Sequence, residues 1–131
     1  IDGKDAIIID DMISSGGSMI DTARQLKKMN AKRVFICCTF GLFTDGLAAF
    51  DEAYEKCYFD RIITTNLCYQ PPMLREKPYY LEADMSKYLA AVITSMNHDR
   101  SISASLSPTE KIQKLVQKHQ NGGYEYFQKL V

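Results

Sequence analysis

The sequence predicts an α/β fold: three layers, with a mostly parallel sheet flanked by helices. Short, continuous apolar runs at Ala6–Asp10, Arg33–Thr39 and Arg61–Thr65 suit strands covered on both faces. The segments between them carry apolar residues at helical spacing. Strand and helix patterns alternate along the chain, as right-handed βαβ units require.

Ala6–Asp10 reads Ala-Ile-Ile-Ile-Asp, an apolar strand ending in acid. A turn rich in Ser and Gly follows, and Met19–Met29 is then expected to be helical. Ile20, Ala23 and Leu26 share one face, with Arg24, Lys27 and Lys28 largely off it. Ser18 and Asp21 have the spacing of a capping box, with Asp in place of Glu. Asn30 suits a left-handed helix end. Arg33–Thr39 is the second strand. Ala48–Cys57 reads as a helix with Phe50, Tyr54 and Cys57 at core spacing. Arg61–Thr65 is the third strand and Tyr79–Ala83 a fourth. Gln70-Pro71-Pro72 between them must be loop, since proline cannot donate to a ladder. Ser86–Met96 is a further helix, with Tyr88 or Leu89, Val92 and Met96 facing inward.

Beyond His98 the character changes. Ser101–Ser107 is a Ser-rich surface segment, and Ser107-Pro108-Thr109-Glu110 supplies an N-cap, a first-turn Pro and a capping-box Glu. The helix Thr109–Gln120 presents Lys111, Lys114 and Lys118 on a solvated face and stops before Asn121-Gly122-Gly123. Tyr124–Val131 fits an appended helix or a tail. No internal repeat is present. The expected organisation is one domain over residues 1–105 and a C-terminal helical extension over 106–131.

With 131 residues and 46% hydrophobic content, the chain can build one ordinary core. Basic and acidic residues balance at 16 each, which argues against a nucleic-acid stripe or a membrane-surface patch. No apolar run reaches the length of a membrane span. The opening Ile1-Asp2-Gly3-Lys4 carries neither an initiator Met nor a signal segment, and is expected to be a cut inside a longer protein. Cys37, Cys38, Cys57 and Cys68 form no Cys-x-x-Cys pair, and His98 and His119 add little support for zinc. Buried, reduced cysteines in a cytoplasmic protein are the expectation. His98 and His119 read as capping or surface residues. Tyr79-Tyr80 and Tyr124–Phe127 read as packing or interface, since no basic cluster accompanies them.

The chemistry lies in Ile7-Ile8-Ile9-Asp10-Asp11-Met12-Ile13-Ser14-Ser15-Gly16-Gly17-Ser18-Met19. A strand ends at two carboxylates, and a Ser/Gly turn leads into a helix. Such a helix start is an anion site, because its first amides are unpaired and the dipole adds favourable potential. Gly16 and Gly17 allow close backbone approach, and Ser14, Ser15 and Ser18 can donate hydroxyl hydrogen bonds. The carboxylates suit vicinal sugar hydroxyls or a hydrated Mg²⁺. Neighbouring strand residues point to opposite faces, so Asp10 and Asp11 should not act alike: one faces the sugar, the other supports the loop or the metal shell. Either half of the motif alone is an ordinary solvated turn or flexible loop; joined, they are specific.

This segment resembles the phosphoribosyl-pyrophosphate motif of type I phosphoribosyltransferases and ribose-phosphate pyrophosphokinases. The surroundings favour the pyrophosphokinases. Gly3-Lys4 precedes the strand, and Ala31-Lys32-Arg33-Val34 opens the next. Thr39-Phe40-Gly41-Leu42-Phe43 is similar to the family's Thr-His-Gly-Leu-Phe, and Ile63-Thr64-Thr65-Asn66 to its Val-Thr-(Asp/Asn)-Thr. Leu89–Ile93 through Asn97-His98 echoes its last helix, and Ser101-Ile102-Ser103 its ending. The resemblance spans roughly Ile1 to Ser105.

The resemblance implies a phosphoribosyltransferase-like carboxy-terminal domain, truncated on its N-terminal side, from an oligomeric enzyme of nucleotide biosynthesis. That enzyme transfers diphosphate from Mg-ATP to the C1 hydroxyl of ribose 5-phosphate, giving phosphoribosyl pyrophosphate and AMP. Asp10 would then contact the ribose hydroxyls, with Asp11 beside it, and Ser14, Ser15, Gly16, Gly17 and Ser18 would hold the 5-phosphate. ATP would be bound by residues upstream of Ile1, together with the family's mobile catalytic loop, so this fragment alone is expected to be inactive. It is also expected to expose a sheet edge that pairs with a second copy or a retained fragment. Three departures stand out. Ser14 replaces the family's Asp, with Ser at both Thr positions, and Phe40 replaces its His. A base phosphoribosyltransferase and a non-catalytic regulatory paralogue are the alternatives. The first lacks a visible hood, and the second tends to lose the Gly-Gly pair retained here.

Overall fold

The computed structural model describes residues 1–99, 101–102 and 109–121. The chain divides into two compact units, Ile1–Ser86 and Lys87–Val131. The first holds strands β1 (Asp5–Ile13), β2 (Arg33–Gly41), β3 (Arg61–Thr65) and β4 (Tyr80–Ala83), with helices α1 (Gly17–Lys28), α2 (Ala48–Glu55) and α3 (Pro72–Arg75). The second holds α4 (Ser86–Asn97), which begins at the boundary, and α5 (Thr109–Gln120). The Ser107-Pro108 cap, Ser103–Ser105 and Tyr124–Val131 lie outside the described residues.

All four strands are parallel, in the order β1-β2-β3-β4. This is the expected α/β class, a parallel sheet with flanking helices. Register places Ile8, Ile36, Ile62 and Tyr80 in one row across the sheet. That row faces the helices. Met19 and Ala23 of α1, Phe50 and Ala53 of α2 and Leu74 of α3 are buried with it. Period-two alternation delivers this in β2, where Val34, Ile36 and Cys38 are buried and their neighbours are not. The row of Ile9, Cys37, Ile63 and Leu81 points the other way. Ile7 and Ile9 on the edge strand are 63% and 80% exposed, so β1 is not covered on both faces as its apolar run suggested.

Element ends differ from the sequence expectation in instructive ways. β1 does not stop at Asp10 but runs on to Ile13, because Met12 and Ile13 keep pairing with Phe40 and Gly41. Helix α1 starts at Gly17, with Gly16 at the N-cap and no side chain capping it. The Ser18–Asp21 capping box is therefore absent: both residues are already helical, and Asp21 instead accepts from Arg24 at 2.7 Å. Asn30 does end α1, at φ 60, and its amide donates to Lys27 O. Helix α2 ends at Glu55, two residues early. Cys57 takes φ 56 and is exposed, while Tyr58 N–H returns to Ala53 O at 3.0 Å. The Pro71-Pro72 segment opens the short helix α3, with Pro72 in its first turn, where its missing amide costs nothing. In α4 no residue is buried, including Tyr88, Leu89, Val92 and Met96, which the sequence placed inward.

The aromatic residues before β4 pack as expected. Tyr79 and Phe59 meet edge-on at 5.4 Å, and Tyr54 lies against both. Tyr79 donates its hydroxyl proton to Asp51 Oδ1 at 2.8 Å, and Lys77 donates to Oδ2 at 2.7 Å. Burial, then the Asp51 carboxylate, push the Tyr79 hydroxyl well above its ordinary pKa. One carboxylate thus ties the first turn of α2 to the approach of β4.

Among the cysteines Cys38 is buried, Cys37 and Cys68 are half-buried and all four are free thiols. Burial raises the Cys38 thiol to about 11. A thiol reacts only as its thiolate, so at pH 8 roughly one Cys38 in a thousand is reactive. Alkylation with iodoacetamide at pH 8 should label exposed Cys57 first and Cys38 last, as followed by peptide mass mapping. Replacing Asp51→Ala should cost about 1–3 kcal/mol, because the Tyr79 hydroxyl and Lys77 ammonium lose their shared acceptor in a partly buried place. A lowered urea midpoint with an unchanged slope would show it.

Candidate anion-binding site

The candidate site forms where β1 hands over to α1. Ile13, 1% exposed, anchors the last strand residue in the core. The chain then leaves the sheet through Ser14 and Ser15, both exposed, and turns at Gly16. Gly16 has φ 84, a left-handed value that disfavours any side chain, and a Cβ there would sit 1.9 Å from Phe50 Cζ. Glycine is required on both counts. Gly17 is different: a Cβ there would meet nothing within 4 Å. Protein packing does not explain a glycine at the first helical position, whereas close approach of a ligand does.

Beginning α1 at Gly17 leaves the amides of Gly17, Ser18 and Met19 without intrahelical partners, since the first ladder bond is Ile20 N–H to Gly16 O at 3.0 Å. No acid stands in the first turn to compete for them, and Lys27 and Lys28 occupy the last turn, as the dipole favours. Ser15 and Ser18 are exposed beside these amides. Ser14 lies 3.4 Å from the Thr44 hydroxyl, which donates to Asp45 Oδ1 at 3.1 Å. Thr44 N–H donates to Ser14 O at 3.1 Å, and Leu42 N–H to Ile13 O at 2.8 Å. The connection between β2 and α2 therefore braces the loop. Sequence reasoning missed Thr44 and Phe50; only the apolar periodicity of α2 hinted at the latter, as a core residue.

The two carboxylates occupy different settings. Both are exposed. Asp10 Oδ1 accepts the Asp11 amide at 2.8 Å, so one oxygen is held locally. Asp10 also borders a cavity of about 240 Å³ near the carboxyl ends of β1, β2 and β3, lined further by Ile9, Cys37, Thr39, Thr65 and Ala83. Asp11 does not line it. Among the described residues no group of three or more His, Cys, Asp or Glu side chains could hold a metal ion. Mg²⁺ keeps several waters and takes one or two protein carboxylates plus phosphate oxygens, so a site with fewer than three protein ligands suits its chemistry. Phe40, where the family carries His, is 40% exposed next to the strand end.

The two glycines make separable predictions. Gly16→Ala should destabilise the fold by about 1–3 kcal/mol through strain and the Phe50 clash. Gly17→Ala should leave stability equal or raise it by up to about 1 kcal/mol, since Ala is the better helix former. Thermal or urea unfolding of both variants checks the contrast.

Residues 1–106 match the phosphoribosyl synthetase-associated domain family. A ribose-phosphate pyrophosphokinase of Shewanella oneidensis is 35% identical over 107 residues, covering 82% of this chain and 33% of that protein. One from Mycoplasmopsis pulmonis is 29% identical over 103 residues, covering 79% and 31%. The crystal structure of phosphoribosylpyrophosphate synthetase from Mycobacterium smegmatis superposes with a TM-score of 0.63 at 27% identity, over 76% of this chain and 32% of that one. The chain thus spans about a third of the length of these relatives. No helix among the described residues is long and apolar enough to cross a membrane. By its sequence and its fold, this chain belongs to the phosphoribosyl synthetase-associated domain family, as its resemblance to the ribose-phosphate pyrophosphokinases led one to expect.

Proposed function

We propose that this chain is the ribose 5-phosphate-binding half of a ribose-phosphate diphosphokinase, its carboxy-terminal domain over residues 1–105 followed by a helical extension. The observation that carries this reading is the helix start at Gly16-Gly17. It offers three free amides and two exposed Ser hydroxyls to one anion, a short turn beyond the paired carboxylates of β1. In this reading the 5-phosphate sits on the amides of Gly17 to Met19 with Ser15 and Ser18, and Ser14 closes the loop on the Thr44 side. Asp10 accepts hydrogen bonds from the vicinal ribose hydroxyls.

The whole enzyme would transfer diphosphate from ATP to the C1 hydroxyl of ribose 5-phosphate, yielding phosphoribosyl pyrophosphate and AMP. Such transfer depends on positioning and charge neutralisation more than on covalent chemistry. The segment Asp10–Asp21 carries no Lys or Arg, so this loop binds and orients but does not neutralise a diphosphate. Asp10 and Asp11 would hold a hydrated Mg²⁺, which supplies that neutralising charge. ATP and further cationic groups belong to the remaining two thirds of a full-length relative, and the open edge of β1 is where a second chain would pair. The same reading places the enzyme in the cytoplasm.

Calorimetric titration of this chain with ribose 5-phosphate should give saturable binding that Gly17→Ala weakens about tenfold, the loss of roughly 1.4 kcal/mol of phosphate contact. No heat with the unaltered chain would favour the non-catalytic paralogue. Incubation of this chain alone with Mg-ATP and ribose 5-phosphate should form no AMP; sustained AMP formation would refute the half-site assignment.

A further inference from the structure

The loop's shape rests on a residue outside it. Phe50, in the first turn of α2, is fully buried, and its ring tip lies against the backbone of Gly16. It has nowhere to retreat. Phe43 meets it edge-on at 5.2 Å, and Asp51, the next residue along, is held by both Tyr79 and Lys77. The segment carrying Phe43 is itself bonded to the loop, through Leu42, Phe43 and Thr44 amides donating to Ile13 and Ser14 carbonyls. The chain is therefore gripped on its way into the loop at Ile13–Ser14 and on its way out at Gly16.

We infer that Phe50 is a positioning residue for the anion loop: its ring holds Gly16 in the left-handed conformation that aims the Gly17, Ser18 and Met19 amides at a common point. Glycine adopts positive and negative φ with similar ease, so two adjacent glycines do not fix a helix start by themselves. Left loose, the loop would have to be ordered by its ligand, and that ordering would be subtracted from affinity. Phe50 removes that cost in advance without touching the ligand. The inference rests on the proposed function only for the identity of that ligand.

The test uses this chain with Phe50→Leu, Phe50→Met and Phe50→Tyr. Amide exchange by NMR is read at Ile20 and Thr44, which donate to Gly16 O and Ser14 O, with the β2 amides as the reference for global stability. Phe50→Leu, too short to reach Gly16, should accelerate Ile20 and Thr44 about tenfold beyond any change in β2. Phe50→Met, flexible and long enough to refill the ring-tip position, should restore most of that protection. Phe50→Tyr places an oxygen against Gly16 and should shift the Gly16–Ser18 resonances while sparing β2. Ribose 5-phosphate affinity should fall about tenfold in Phe50→Leu and recover in Phe50→Met. Equal acceleration of Ile20, Thr44 and β2 in Phe50→Leu would overturn the inference, because Phe50 would then be a core residue only. If the unaltered chain binds no ribose 5-phosphate, the functional reading falls, and the exchange pattern still decides the role of Phe50.

Discussion

The contact between Gly16 and the Phe50 ring is the constraint on which the rest of the site depends. A parallel sheet must send each strand's end back over the core through a helix, and the turn that does this here passes directly above a packed aromatic side chain. With no Cβ, Gly16 lets the turn close; with φ 84, it lets α1 begin one residue later. A side chain at that point would run into the Phe50 ring and lift the turn off the core.

That contact is stiff because the elements beneath it are stiff. The row Ile8, Ile36, Ile62 and Tyr80 fixes the height of the strands, and α1 and α2 press buried residues onto it. Asp51 then pins the start of α2 through Tyr79 and Lys77. On the opposite side of the same helix pair, Lys27 reaches Asp60 Oδ2 at 3.0 Å, and the same oxygen accepts the Val34 amide at 2.8 Å, joining the end of α1 to the starts of β2 and β3. The site lies at the carboxyl ends of the strands, where open parallel sheets present their ligand crevices.

Binding and chemistry are unequally represented in this chain. Free amides, hydroxyls and a carboxylate suit a phosphosugar, while the loop itself lacks the cations that transfer of a diphosphate demands. The chain covers about a third of its relatives' length, and Ile7 and Ile9 on edge strand β1 are exposed apolar residues.

Much of this was legible in the residues. Apolar runs gave the strands, helical spacing gave α1 and α2, Asn30 gave the end of α1, and Asp-Asp followed by Ser-Ser-Gly-Gly-Ser gave the turn into α1 and the resemblance to the family, because local periodicity and φ preferences are written residue by residue. Interactions between segments distant in sequence were not legible. The continuation of β1 to Ile13 depends on pairing with Phe40 and Gly41, and the loss of the Ser18–Asp21 cap on a helix start that Gly16 moved forward. The different demands on Gly16 and Gly17 depend on Phe50, 34 residues beyond Gly16 and marked in the sequence only as another core aromatic. The sequence by itself determined that a Ser/Gly turn joins a strand to the start of a helix, the pattern of an anion cradle. Tertiary packing alone decided what keeps that cradle in shape, because a steric contact across the fold has no periodicity to reveal it.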